Sequence, residues 1–326
     1  MLAAVAVSQH PDDPLAGLAL RDVPVPEVEE GWTRVRMRAA SLNPHDLWSL
    51  KGVGHPPERI PMILGCDGAG VTDDGREVIL YSVVADTDRG RGDETFDPDR
   101  AVLSETLDGT LAEFIVVPSR NLLPKPEWLT FIEAATLGAV WGTAYRMLFT
   151  RAGIRPGDSV LVQGANGGVA SAAIRLASAA GARVFATARS EPKRRYALEQ
   201  GAYMSLESGA RLPERVDVVI ETVGEATWAH SLRAVRPGGT IVIAGATSGE
   251  MPKAELRRIF YKQLSVIGST MCTRAEFESL IRMLHITGIR PSIDSVIRFD
   301  QVPAGYKRIL NGDVRGKIVV DFEKVD

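Results

Sequence analysis

The sequence predicts a two-domain α/β protein in which a β-rich, loop-rich segment precedes a doubly wound parallel sheet. Three observations carry that expectation. At 326 residues the chain is longer than one hydrophobic core normally serves. Between residues 126 and 269, strand-length apolar runs alternate with helix-sized segments, the pattern of parallel strands joined by helical crossovers. Before residue 126, segments such as TRVRMRAA and REVILYSVV alternate in polarity between Pro, Gly and Asp clusters, as small antiparallel strands do.

The first domain is expected over residues 1–125. Its stretch from Ala85 to Gly109 is polar and rich in Gly and Asp, and reads as an exposed loop. In the second domain, over 126–269, the expected strands are SVLVQ (159–163), RVFAT (183–187), YMSL (203–206), VDVVIE (216–221), TIVIAG (240–245) and LSVIG (264–268). GVASAAIRLASAAG and PKRRYALEQG supply two of the helices between them. From 270 to 326 the pattern is helix, strand, helix, strand, a tail able to complete either domain.

Composition narrows the function classes. The chain is 45% hydrophobic and 24% charged, an ordinary globular balance. A net charge of −3 and a pI near 6.0 give no bulk attraction for nucleic acid. No apolar run reaches membrane-span length, and MLAAVAVSQHPDDP has neither the basic start nor the apolar core of a secretory signal. Cys66 and Cys272 are too few for a disulfide framework or a four-thiolate metal site. A cytoplasmic protein acting on a small molecule is expected, with no membrane or nucleic-acid partner.

The strand SVLVQ runs directly into GANGGVASAAIRLASAAGA. A Gly-rich turn there lets backbone at Gly164, Asn166, Gly167, Gly168 and Val169 approach a diphosphate, which the positive end of the next helix favours. The motif departs from G-x-G-x-x-G, because Ala165 and Ala170 hold its first and third positions. A glycine turn needed only for packing is the other reading. At the tip of the second strand, where an NAD site carries Asp or Glu, this chain has Ala188, Arg189 and Ser190. Arg189, Lys193 and Arg194 offer charge to a 2′-phosphate, and Ser190 offers a further bond. NADPH is therefore favoured over NADH, against the alternative of a solvated basic helix face. Glu191 starts the next helix as an N-terminal charge.

Several stretches, in order, resemble the medium-chain dehydrogenase/reductase superfamily of zinc alcohol dehydrogenases and zinc-free quinone reductases. They are AASLNPHDLWSLKG, IPMILGCDGAGV, DGTLAEFIVVPSRNLLPKP, EAATLGAVWGTAYRML, GIRPGDSVLVQGANGGVASAAI, LRAVRPGGTIVIAGATSG, FYKQLSVIGSTM and GKIVVDF. The resemblance spans nearly the whole chain. It implies a GroES-like catalytic domain over 1–125, completed by 270–326, and a Rossmann domain over 126–269. It also implies binding in the cleft between them, with Thr143, Val169, Gly245, Ala246, Thr247, Ser269 and Thr270 near the nicotinamide. A homodimer through the Rossmann domains is implied too, with the LSVIG edge as its seam.

In zinc members of that superfamily three side chains hold the catalytic ion. The matching positions here are Asn43, Cys66 and Ala139, with Asp67 replacing a Glu. The stretch that carries four cysteines in many zinc members matches Ala85–Gly109, which has none. Neither zinc site is expected; Cys66, His45 and Asp46 form the one improvised donor set. Without a Lewis acid, the reaction needs hydrogen-bond donors or an acceptor that delocalises charge, such as a quinone or enone. The resemblance puts Asn43 beside nicotinamide and substrate. It puts His45 near a relay position, where an imidazole with an ordinary pKa near 6.5 supplies a proton. Trp48 and Cys66 are expected in the substrate pocket, and Tyr261 joins the catalytic candidates.

Plainer roles are open to each: Asn43 as a turn residue, His45 as a hydrogen-bonded histidine, Trp48 and Tyr261 as core. Cys66 then is a small, quiet buried residue, and Asp46 caps a short helix starting near Leu47. The function expected is a zinc-independent, NADPH-dependent reductase of a quinone, enone or related small carbonyl compound. Its rivals are a metal-free or weakly metal-binding alcohol/aldehyde oxidoreductase, and an NADPH-binding sensor or structural protein with little turnover.

Overall fold

The strand Trp32–Ser41 is the axis of the first unit in the computed structural model, which describes residues 1–323. It pairs antiparallel with Phe114–Pro118 and Asp67–Thr72, and with Lys317–Asp321 from the far end of the chain. Lys317–Asp321 in turn runs parallel to Ile293–Ile297. The tail is held there by apolar burial. Val302, Tyr306, Ile318 and Val320 share one core with Leu42, Leu47, Leu50, Leu64 and Leu111.

The units are Met1–Ala139 with Thr273–Glu278 and the chain from Pro291 on, and Val140–Cys272 with Ser279–Arg290. The divisions expected at 125/126 and 269/270 therefore lie elsewhere. The helix Phe131–Ala134 starts at a capping box, where Thr130 Oγ1 accepts from Glu133 N at 3.2 Å and the Glu133 carboxylate accepts from Thr130 N at 3.0 Å. That short helix packs on Trp32–Ser41 and Asp67–Thr72, so residues 126–139 stay with the first unit. The helix Arg274–Thr287 is shared. Its start is tied into the first unit by Arg274 N donating to Glu94 Oε1 at 2.7 Å, and its second part belongs to the other unit.

Ala85–Gly109 is more ordered than a solvated loop. Glu94, Thr95 and Asp97 are buried, and Asp97 accepts from the backbone N–H of Asp86 at 2.8 Å and of Asp99 at 3.0 Å. These acidic residues fold the segment on itself, a use that composition does not reveal.

The second unit is a parallel sheet of six strands. In chain order they are Ser159–Val162, Arg183–Ala188, Met204–Glu207, Val216–Glu221, Val235–Ile243 and Ser265–Gly268. They lie side by side in the order 3-2-1-4-5-6, the Rossmann arrangement. Leu161, Phe185, Val219 and Ile241 pack on Trp228 and Leu232 of the helix Glu225–Ala234. No helix among the described residues is long and apolar enough to cross a membrane.

Candidate functional site

In the second unit the expected cofactor residues gather at the carboxyl ends of the parallel strands, where this fold binds ligands. Gly164 follows the first strand with φ +67°, and a Cβ there would meet Val223 Cγ2 at 2.7 Å, so both conformation and space require glycine. Gly167 caps the helix Gly168–Ala179, and Ala170 is buried within it, as close helix–strand packing demands. Asn166, Gly168 and Val169 are half-buried along the turn. Arg189 stands exposed at the tip of the second strand, with half-buried Ser190, Lys193 and Arg194 just beyond it. Arg194 is pulled back by Glu191, at 2.9 Å.

The remaining cofactor candidates sit on neighbouring loops. Ser269 N donates to Ile243 O at 2.8 Å, holding the end of the sixth strand beside the start of the Gly245–Thr247 loop. Ser269 Oγ is buried without a partner among the described residues, whereas Thr270 and Thr247 are exposed. Thr143 is buried in the helix Gly142–Tyr145, which packs on the helix Gly168–Ala179.

Tyr261 is not part of this group. It is 81% exposed at the end of the helix Leu256–Tyr261, beside exposed Leu256 and Phe260. The core alternative for it does not hold in its own unit, where the short helix leaves that face uncovered.

Sequence reasoning passed over Glu221, which ends the fourth strand fully buried. It accepts from Val223 N at 2.9 Å, Gly224 N at 3.1 Å, Thr227 Oγ1 at 2.8 Å and Ser231 Oγ at 2.6 Å. This carboxylate fixes the turn against which Ser248 N bonds, at Val223 O. Its one trace in the sequence is an acid closing the apolar run VDVVIE.

In the first unit, the candidate catalytic residues cluster around the start of the helix Pro44–Lys51. Pro44 opens the helix and Asp46 Oδ2 accepts from Asn43 N at 2.9 Å, so the helix begins three residues earlier than expected. Leu47 and Leu50 anchor it in the core, leaving His45 and Trp48 half-buried. Asn43, 2% exposed, has both amide protons committed: to Ser41 O at 3.2 Å and to Asp67 Oδ2 at 2.9 Å. Its Oδ1 accepts from Lys317, whose Nζ also reaches Leu42 O at 3.0 Å and Asp67 Oδ2 at 3.4 Å. Ser41 Oγ and Ala139 N complete the set of donors to Asp67. Asn43 is a strut between a buried ion pair and a helix, with no donor left for a substrate.

Cys66 is 1% exposed, so it does not line an open pocket. Burial pushes its thiol well up, and the charges of Asp67 and Asp46 push it the same way, so it remains protonated. Trp48 lies with Lys51 Nζ 5.2 Å over its ring, a cation–π contact on the helix surface. His45 Nε2 lies 3.3 Å from Glu105 Oε2, a residue for which the sequence offered no signal beyond its place in a polar stretch.

Comparison with known proteins agrees with this architecture. The alcohol dehydrogenase GroES-like domain matches residues 29–127, and the zinc-binding dehydrogenase family matches 168–285. An acryloyl-coenzyme A reductase of Metallosphaera sedula is 31% identical over 97% of this chain and 99% of its own. The chain belongs to the medium-chain dehydrogenase/reductase superfamily. A crotonyl-CoA reductase of Streptomyces avermitilis is 30% identical over 89% of this chain and 78% of its own. Among solved structures, an NAD-dependent alcohol dehydrogenase aligns with TM-score 0.91 at 33% identity, covering 98% of this chain and 99% of the other. Membership makes the protein an oxidoreductase of this superfamily.

Many members of the superfamily hold zinc. Ala139 offers no ligand atom, and the Asn43 amide is fully engaged. His45, Asp46 and Cys66 do bring one donor atom each within 4.8 Å of one another. Asp46, however, already accepts from Asn43 N, from Gly65 N at 3.0 Å and from Ser104 Oγ at 2.8 Å. Its partners there are a protonated thiol and an imidazole hydrogen-bonded to Glu105. To bind an ion, this set would have to give up the three hydrogen bonds to Asp46 and the bond from His45 to Glu105, and the Cys66 thiol would have to lose its proton.

Proposed function

We propose that the protein is a zinc-independent, NADPH-dependent reductase that delivers hydride to a conjugated carbonyl compound, an enone, enoyl thioester or quinone. The reading is supported by a glycine turn suited to a diphosphate, and by the superfamily's ligand positions, at which Ala139 offers no donor atom and the Asn43 amide is already engaged. Gly164–Val169 would hold the diphosphate, and Arg189 with Ser190 the 2′-phosphate. Bound there, NADPH supplies the hydride. Lacking a metal to stabilise an alkoxide, the site suits acceptors in which the incoming charge spreads over a conjugated system. The acryloyl- and crotonyl-CoA reductases among its relatives favour a carbon–carbon double bond beside a carbonyl. The NAD-dependent alcohol dehydrogenase among its structural neighbours favours the second reading, a metal-free or weakly metal-binding alcohol/aldehyde oxidoreductase.

One experiment separates the two. NADPH consumption is followed with a quinone, an enone, crotonyl thioester and a saturated aldehyde, and the same preparation is analysed for metal. The conjugated acceptors should outpace the aldehyde by about tenfold or more, a difference of about 1.4 kcal/mol in barrier. Aldehyde preference, or one tightly held zinc per chain, overturns the proposal. A preparation that binds NADPH but reduces nothing in the panel points to the sensor reading.

We also propose that two copies pair along Ser265–Gly268. This is an edge strand with Val266 exposed, and exposed Leu256, Phe260 and Tyr261 lie on the short helix just before it in the chain. A monomeric mass by light scattering at micromolar concentration removes that pairing.

A further inference from the structure

We propose that Glu221 is a positioning residue for the cofactor, holding the turn over residues 222–224 in the shape that receives the nicotinamide half. This deepens the reductase reading above and rests on it. The direction of the cofactor follows from the strand order 3-2-1-4-5-6. A diphosphate at residues 164–169 lies at the end of the first strand, and Arg189 marks the tip of the second strand beside it. A dinucleotide with its 2′-phosphate at Arg189 therefore sends its other half to the opposite side, past the end of the fourth strand. The turn it meets there directly follows Glu221.

That turn touches its neighbours on both sides. Val223 Cγ2 fills the space beside Gly164, so the diphosphate turn and this turn are in contact. Gly224 takes φ +90°, and a Cβ on it would lie 2.9 Å from Ala246 Cα, in the loop after the fifth strand. Hydrogen bonds join the turn to that loop. Val223 O accepts from Ser248 N at 2.8 Å and from Ser248 Oγ at 2.7 Å, and Glu225 N donates to Gly249 O at 3.0 Å. Thr222, Val223, Gly245 and Ala246 remain half-buried, so the joined loops keep an accessible face.

Glu221 holds this arrangement from beneath. Its Oε1 takes the backbone N–H groups of Val223 and Gly224, its Oε2 takes Ser231 Oγ, and Thr227 Oγ1 lies within 2.9 Å of both oxygens. Ser231 links the carboxylate to the first strand, because its Oγ accepts from Gln163 Nε2 at 3.0 Å. Gln163, fully buried just before Gly164, also accepts from Thr187 Oγ1 on the second strand. The tips of three adjacent strands are thus bonded to one another through side chains.

The neighbouring His230 supplies no counter-charge. Its Nε2 donates to Ala210 O at 2.8 Å and its Nδ1 accepts from Gln163 Nε2 at 2.9 Å, which is the neutral ring. Burial pulls its pKa down, in keeping with that tautomer. All the hydrogen-bond donors to the Glu221 side chain are neutral groups. An apolar residue would close this layer with less desolvation. What the carboxylate adds is the placement of two backbone N–H groups, and with them the turn that the cofactor must pass.

Titration calorimetry on the full chain gives Kd for NADPH and for 2′,5′-ADP, which carries the 2′-phosphate but no nicotinamide. Glutamine in place of Glu221 presents one acceptor oxygen and an amide N–H pair to the same donors. Glu221→Gln should therefore weaken NADPH by about tenfold or more, while 2′,5′-ADP stays within about twofold of wild type. Thr227→Val removes the hydroxyl that reaches both carboxylate oxygens. It should repeat the selective loss at about threefold, and it decides the matter if Glu221→Gln does not fold. Arg189→Ala, by contrast, should weaken both ligands. Equal losses for the two ligands in the Glu221 and Thr227 variants overturn the positioning role, because a general loosening of the sheet moves both halves together. An unchanged NADPH affinity overturns it as well. A wild-type chain that binds neither ligand overturns the reductase reading and this proposal with it.

Discussion

Replacing Arg189 by alanine is expected to weaken NADPH binding by about 10- to 150-fold and to leave NADH nearly unchanged. The range corresponds to about 1.5–3 kcal/mol for hydrogen bonds to a charged group. Arg189 is exposed at the tip of the second strand and has no ion-pair partner among the described residues, so it gives up no internal bond to meet a phosphate. Arg194, by contrast, would first have to leave Glu191, and Arg194→Ala should cost less. Dissociation constants from nicotinamide fluorescence decide the matter. Equal losses for the two cofactors would remove the 2′-phosphate assignment and leave the basic residues as a solvated helix face.

A larger effect, on stability, is expected for Lys317→Met. Lys317 and Asp67 are both buried, and Asp67 also holds Asn43, Ser41 and Ala139. Removing the ammonium leaves a buried carboxylate without its counter-charge, which costs about 3–5 kcal/mol. Because Lys317 opens the last strand, the loss should also loosen the pairing of Lys317–Asp321 with Trp32–Ser41. Urea unfolding of the single variant and of the double variant Lys317→Met, Asp67→Leu tests this. The double variant should recover most of the stability, since an apolar pair strands no charge. If the single variant unfolds at the wild-type midpoint, the pair carries no such weight.

The Rossmann half was legible in the sequence because its signals are local. VDVVIE was placed to the residue at 216–221, and the ends of Ser159–Val162, Arg183–Ala188 and Met204–Glu207 fell within one residue of expectation. A parallel strand buried on both faces must be apolar throughout, and a run of that kind between glycines has few other readings. Val235–Ile243 begins five residues earlier than expected, because Val235 pairs with Val216 before Arg236-Pro237-Gly238-Gly239 bulges out of register and pairing resumes at Thr240 beside Val218. The catalytic side was legible as a list of positions and not as an arrangement. Asn43, Cys66 and Asp67 were singled out in the sequence. Nothing in it said that Lys317, 250 residues from Asp67, would consume the Asn43 amide. Glu105 reached His45 across 60 residues of chain, from a stretch whose acids read as solvent-facing.

By itself, then, the sequence determined the α/β order, with the glycine turn Gly164–Gly168 after the first parallel strand and Arg189 at the tip of the second. Each of these depends on residue type at a fixed local spacing, which backbone geometry translates directly into structure. Tertiary structure alone decided where the units divide, that Tyr261 is exposed, that Asn43 is a strut and that Glu105 faces His45. Those outcomes depend on which distant segments share a core, and hydrogen bonds in such a core go to the nearest unsatisfied partner, however far away it lies in the chain.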